Sequence, residues 1–222
     1  MSDQHNIIST AKSVVHIIST FARLPCCLVG SVAGSAHGIT RTPNDVDVLV
    51  LSHSKTPLEI KQLLVSGDSR FSLEKPASNP NATYLVLKYA VTPSKSCHVD
   101  IFLPGLIHLP EIPLERVVCS DTGLPVMPFF PTLLHKVQAW IAHRDSPKEH
   151  ARIKQSNDVQ DIRELLEFAI RDETLHLDEH SWLPSWFLDE AVQSVPQYVA
   201  AHPETAPQWA QIGFTVPLTA ES

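Results

Sequence analysis

Leu28-Val29-Gly30-Ser31, then thirteen residues, then Asp45-Val46-Asp47-Val48: these two short runs together decide the fold. Cys26 to Val29 is an apolar run suited to a buried strand. Gly30-Ser31 follows at once, and the small residues Val32-Ala33-Gly34-Ser35-Ala36 permit a tight strand-to-helix turn that a ligand can approach closely. Asp45 to Leu51 is β-branched-rich and reads as a second strand. Residues two apart on a strand project to the same side, so Asp45 and Asp47 enter one space. Two neighbouring carboxylates repel unless a cation sits between them, and a hard divalent ion, above all Mg²⁺, meets that need. The Gly-Ser turn before a helix presents backbone N–H groups that suit a phosphate.

A later strand, His98-Val99-Asp100-Ile101-Phe102, supplies a third carboxylate flanked by apolar residues. Three acids on neighbouring strands can hold two metal ions that clamp the attacking and leaving oxygens of a phosphoryl transfer. An Asp-x-Asp alone can be a solvated edge and a Gly-Ser pair alone is commonly a turn. The signal is their order along the chain.

Working outward, Asn6 to Phe21 places Ile7, Ile8, Ala11, Val14, Val15, Ile18 and Phe21 on one helical face. Thr56 to Val65 reads as a helix capped by Thr56 with Pro57 in its first turn. Phe71–Leu73, Thr83–Tyr89 and His98–Phe102 read as strands, and the segments around Ser120-Asp121-Thr122-Gly123 as a last hairpin. From Thr132 the apolar spacing becomes helical: Leu133, Leu134, Val137, Trp140 and Ile141, then Ile153, Val159, Ile162, Leu165, Leu166 and Ala169. Short helices broken by prolines follow Asp178. The expected organisation is an α/β (α+β) domain over residues 1–127, a mixed sheet with flanking helices, followed by a helical domain over 128–222.

Composition narrows the classes. The chain has 222 residues, 43% hydrophobic and 18% charged, which excludes disorder as its main description. No apolar run is long enough to suggest a membrane span, and the N-terminus lacks the features of a secretory signal, so a cytoplasmic address is expected. The net charge of −7 is uneven: no Lys or Arg and 8 acidic groups follow Arg171. A tail of that sign repels a polyphosphate backbone and argues against nucleic acid as the main partner. Four cysteines without a CxxC pair give no zinc site and read as buried reduced thiols.

The pattern Val29-Gly30-Ser31 … Asp45-Val46-Asp47-Val48, with Asp100 as third acid, resembles the polymerase-β-type nucleotidyltransferase fold. The resemblance extends over about residues 7–170. Lys136, Arg144 and the Asn157–Leu166 run, which carries Asp158 and Asp161, are similar to the helical half of small antibiotic-resistance and abortive-infection nucleotidyltransferases. It implies a nucleotidyltransferase-like mixed sheet and transfer of a nucleoside monophosphate from a nucleoside triphosphate to a hydroxyl, with release of pyrophosphate. It also implies a cofactor of two Mg²⁺ ions, with Mn²⁺ as the alternative. By the resemblance, Asp45 and Asp47 bind both ions, and Asp100 binds the ion that activates the acceptor and can take its proton. Gly30 and Ser31 would then hold the β- and γ-phosphates.

Among the basic residues, Lys136 is either a triphosphate contact or a solvated helix lysine, and Arg41 either meets a phosphate or caps its loop. Asp158 and Asp161 lie three apart on a helix; the resemblance implies that one of them faces the cleft, while the expectation from spacing is pairing with Lys154 or Arg163 at the surface. Lys88 is left undecided between cleft and solvent, and His98 shares the side of Asp100. The acceptor (small molecule, protein or RNA) and the preferred triphosphate are not encoded legibly. The competing expectations are a catalytically silent relative that binds nucleotide or a partner protein, and a metal-dependent nuclease or phosphatase. The triphosphate-type turn argues against the latter.

Overall fold

The computed structural model describes residues 3–76, 79–171 and 175–216. It divides into two compact units, Met1–Ala36 with Arg41–Met127, and His37–Thr40 with Pro128–Ser222.

The first unit is built on a seven-stranded mixed sheet. Its strands are β1 (Cys26–Val29), β2 (Asp45–Val50), β3 (Phe71–Glu74), β4 (Val86–Thr92), β5 (Lys95–Phe102), β6 (Val118–Cys119) and β7 (Pro125–Val126), in the order β3-β4-β5-β2-β1-β7-β6. β2 runs parallel to β5 and β1 parallel to β7, and the other pairs are antiparallel. Strand alternation decides what faces where. Val46, Val48, Val99 and Ile101 turn to one side and are at most 4% exposed. Helix α1 (Asp3–His16) covers that side: its Ser13 hydroxyl meets the Tyr89 hydroxyl at 3.0 Å, and Tyr89 is the register partner of Cys97. Burying each such valine or isoleucine contributes about 1.5–3 kcal/mol. A register slip by one residue would put the aspartates of β2 where those valines are, so the pairing is strongly specified.

The first helix departs from the expected span. Regular turns end at His16, and Ile17–Phe21 forms a wider π-type turn closed by Ala22 N–H donating to the Ile17 carbonyl at 3.0 Å. The wider turn shifts the apolar stripe, and Phe21 emerges 70% exposed instead of joining the core. Helix α2 (Gly30–Ala36) starts directly from β1. β4 begins later than the spacing predicts, because turns closed by the N–H groups of Asn79 and Ala82 occupy the chain before it. It then runs on to Thr92, whose partner is Lys95, so a tight hairpin stands where the sequence reads as a break.

Helix α3 (Pro57–Gly67) carries the anticipated cap. The Glu59 N–H donates to the Thr56 hydroxyl at 3.3 Å while the Thr56 N–H donates to the Glu59 carboxylate at 2.7 Å.

The second unit packs α4 (Phe129–Arg144), α5 (Glu149–Ala169), α6 (Ser185–Ala201) and α7 (Ala206–Gln211) around Leu133, Leu134, Val137, Trp140, Leu165, Leu166, Phe187, Val195 and Tyr198, all 1% exposed or less. Trp140 meets Tyr198 edge to face at 5.1 Å. Residues 37–40 belong to this unit. The Thr40 N–H and hydroxyl each donate to the Glu164 carboxylate at 2.7 Å, and a side chain at Gly38 (φ +109°) would strike Phe168 at 2.4 Å. Of the acidic groups after Arg171, Asp172, Glu173 and Glu221 lie outside the described residues. Among the described residues no helix is long and apolar enough to cross a membrane.

Thr56→Ala removes the hydroxyl that accepts from the Glu59 N–H at the start of α3 and keeps the backbone N–H that meets the Glu59 carboxylate. The expected cost is about 1 kcal/mol, read as a fall of about 2–4 °C in the melting midpoint with the sheet's circular dichroism unchanged.

Candidate active site

Asp45, Asp47 and Asp100 are brought to one side of the first unit's sheet. Asp45 and Asp47 alternate with buried Val46 and Val48 and so share the face opposite α1. The parallel β2–β5 pairing sets Asp45 beside His98 and Asp47 beside Asp100. Register partners project to the same side, and all three carboxylates are part-exposed. On the other flank β1 sets Val29 opposite Asp47, so the chain turns at Gly30 directly beside that carboxylate.

Gly30 has φ +61°, and a Cβ there would lie 2.2 Å from Asp47 Oδ2 and 3.1 Å from its Cγ. The glycine is therefore required twice, for its backbone conformation and for the room that Asp47 occupies. Ser31 follows, and its hydroxyl accepts from Arg41 Nη2 at 2.6 Å. Arg41, Ser31, Gly30 and Asp47 thus form one continuous group within the first unit, an association that spacing alone does not give.

Three carboxylates offering only oxygen suit a hard cation of the Mg²⁺ type, and the missing side chain at Gly30 makes the room that the Asp47 carboxylate occupies. Among the described residues no three His, Cys, Asp or Glu side chains are drawn together as a preformed metal cage. The donor set fits such an ion through shared face and register. The three acids differ in this from the buried carboxylates of the second unit.

Those buried carboxylates correct two expectations. Asp158 and Asp161 are 5% and 0% exposed, where surface pairing was anticipated. Lys136 is not a solvated lysine either: its Nζ lies 2.7 Å from Asp161 Oδ2 with the side chain 7% exposed. About two turns along α4 and one turn along α5, His143 Nδ1 lies 2.5 Å from Asp158 Oδ2. Burial raises the Asp158 carboxyl above its ordinary value, against the hydrogen bond from His143, which lowers it. The cysteines also divide. Cys26 and Cys97 are buried, and loss of water pushes their thiols up to about 12 and about 11, whereas Cys119 is exposed on β6.

Residues that the sequence left undecided join the carboxylate face. Lys88 is the register partner of His98, which is the partner of Asp45, and Ser72 is the partner of Lys88. The available signal was alternation: Leu87 and Tyr89, on either side of Lys88, are 1% and 2% exposed, which turns Lys88 to the other face.

No protein-family model matches the chain, and no curated protein matches it. Solved structures do. An antigenic nucleotidyltransferase-like protein from Paracoccidioides brasiliensis aligns with a TM-score of 0.61 at 14% identity, over 95% of this chain and 94% of that one. The antibiotic-resistance factor ANT(2'')-Ia aligns over 90% of this chain and 96% of its own, at 9% identity and a TM-score of 0.47. The chain therefore has a nucleotidyltransferase fold, with the sheet and the following helices both inside the aligned span.

Two substitutions test the local geometry. Gly30→Ala must strain the backbone and push Asp47 aside, and should lower stability by about 1–2 kcal/mol in a urea melt. Asp161→Ala strands the Lys136 ammonium in the interior and should cost about 3–5 kcal/mol, whereas the double replacement Asp161→Leu/Lys136→Met should recover most of it.

Proposed function

We propose that the protein is a metal-dependent nucleotidyltransferase that moves a nucleoside monophosphate from a nucleoside triphosphate to a hydroxyl. The observation that carries this is the in-register placement of Asp100 beside Asp47, with Asp45 on the same face and the Gly30-Ser31 turn against them. In this mechanism Asp45, Asp47 and Asp100 would hold two Mg²⁺ ions, which would supply neutralisation of the triphosphate charge and polarisation at its α-phosphorus.

The remaining parts belong to the chain itself. The backbone N–H groups at Gly30 and Ser31 receive the β- and γ-phosphates, and Arg41, already at the Ser31 hydroxyl, adds a charge-assisted contact there. Lys136 could serve the triphosphate only by giving up its buried ion pair with Asp161, so the basic role falls first to Arg41. The acceptor oxygen forms a bond to the α-phosphorus and the bond to the bridging oxygen breaks. Pyrophosphate leaves with the electron pair, and the acceptor proton passes to a carboxylate oxygen of Asp100.

A catalytically silent nucleotide-binding relative is the second reading, and the acid set favours the active one. A sheet face that only bound a partner would gain nothing from three carboxylates held together against their repulsion.

The test is a thermal-shift panel of ATP, GTP, CTP and UTP with and without Mg²⁺, followed by pyrophosphate release. Stabilisation should require the metal and vanish in Asp45→Ala. Turnover should fall by about 10²–10³-fold or more in Asp100→Asn, the size of loss seen when one preorganised electrostatic group is removed. No response to any nucleotide would overturn the proposal.

A further inference from the structure

The carboxylate face does not end at Asp100. Across the next two strands toward the sheet edge, β4 and β3, it continues as a small charged cluster, which the transfer mechanism above leaves without a role. Lys88 on β4 donates to Glu74 Oε2 at 2.8 Å, and the Ser72 hydroxyl donates to Glu74 Oε1 at 3.0 Å. Both carboxylate oxygens of Glu74 are thereby engaged. The Lys88 hydrogen bond, then that of Ser72, then the Lys88 charge hold the Glu74 carboxyl below the usual carboxylate range, and His98 adds to the effect.

Position gives the cluster its meaning. Ser72, Lys88, His98 and Asp45 are successive register partners across β3, β4, β5 and β2, one row on one face. The phosphate turn flanks Asp47 from the β1 side, which leaves the opposite flank, beyond Asp100, for the acceptor. With strands about 4.8 Å apart, the backbone of Lys88 lies about 10 Å from that of Asp45, and the lysine's four-carbon stem can shorten that gap.

The pair is also replaceable. The Lys88 side chain is 22% and that of Glu74 49% exposed, and an exposed ion pair of this kind contributes at most about 1 kcal/mol. An incoming anion can take over the Lys88 ammonium at little cost, with a charge-assisted bond in place of the one Glu74 gives up. A cationic acceptor would meet Lys88 in the row nearest the acids, and would find Glu74 already engaged by two donors.

We propose that Lys88 is the specificity residue on the acceptor side of the transferase site, and that it selects a small alcohol bearing a phosphate or carboxylate group. Glu74 is its placeholder in the absence of that anion. The short span between Lys88 and the aspartates fits an acceptor whose hydroxyl and anionic group are about three or four bonds apart. The proposal rests on the nucleotidyl-transfer reading of Asp45, Asp47 and Asp100, and the test separates the two.

Four probes share one diol backbone and differ in charge: glycerol 3-phosphate, glycerate, glycerol and 3-amino-1,2-propanediol. Each is offered to the full-length protein with Mg²⁺ and an equimolar mixture of the four α-³²P-labelled nucleoside triphosphates, and label transferred to the alcohol is measured. One or both anionic alcohols should exceed glycerol by about tenfold or more in kcat/KM, a gap of about 1.4 kcal/mol. The phosphate and carboxylate arms identify which anion is meant. Lys88→Ala should raise KM for the anionic probe about tenfold with kcat little changed. Lys88→Arg should restore most of it, which loss of packing alone would not predict, and Lys88→Glu should turn preference toward the amino diol.

Equal use of all four probes, preference of the wild type for the amino diol, or an anionic preference that survives Lys88→Ala would each overturn the assignment. Transfer to none of them, while nucleotide with Mg²⁺ still stabilises the wild type but not Asp45→Ala, would overturn it and leave the nucleotide site standing. Absence of that stabilisation would sink the transferase reading and this inference together.

Discussion

The parallel pairing of β2 with β5 is the constraint on which the site depends. It is fixed from the apolar side, where Val46, Val48, Val99 and Ile101 are sealed under α1, and its consequence is felt on the polar side. A strand has only two faces, so burying the valines leaves Asp45, Asp47 and Asp100 together whatever their mutual repulsion. The hydrophobic terms are several times larger than the repulsion between part-exposed carboxylates in a high-dielectric setting. The core thus holds an electrostatic arrangement that no local preference would form, as expected where a fold serves chemistry.

Gly30 shows how tightly that arrangement is finished. The room a Cβ would need is filled by an oxygen of Asp47, so the turn and the carboxylate are fitted to each other as one object. Arg41 closes the group by reaching back to Ser31 from the middle of the connection between α2 and β2. A phosphate turn, a cationic side chain and the first acids are therefore assembled inside one unit, from residues no farther apart in sequence than Gly30 and Asp47.

Most of this was legible in the sequence because it is local or periodic. Alternation in Asp45–Val50 fixed which residues share a face, the Gly-Ser pair marked the turn, and Thr56 with Glu59 announced α3. What escaped depends on partners distant in the chain. The buried Lys136–Asp161 pair joins residues on different helices, and nothing in the spacing of Asp158 and Asp161 tells an inward face from an outward one when both carry charge. The Lys88–Glu74 pair escaped for a related reason: the start of β4 was misplaced, and with it the hairpin register that sets Lys88 beside His98. The wide turn at Ile17–Phe21 has no periodic signature at all, since the apolar pattern runs through it unbroken.

The two units treat acidic groups in opposite ways, and the contrast bears on function. In the helical unit Asp158 and Asp161 are taken out of water, and the chain supplies His143 and Lys136 to compensate them. Such pairs are committed, because breaking one leaves a charge in the interior at a cost of several kcal/mol. On the sheet the acids keep part of their surface exposed, and the nearby Lys88–Glu74 pair is exposed as well. Groups in that state can change partners at a cost near thermal energy, as a site must when substrates arrive and leave. Buried pairs specify the helical packing and exposed ones stay available for exchange. By that criterion the three aspartates and the Lys88–Glu74 pair are exchangeable charges on one sheet face, the face turned away from α1.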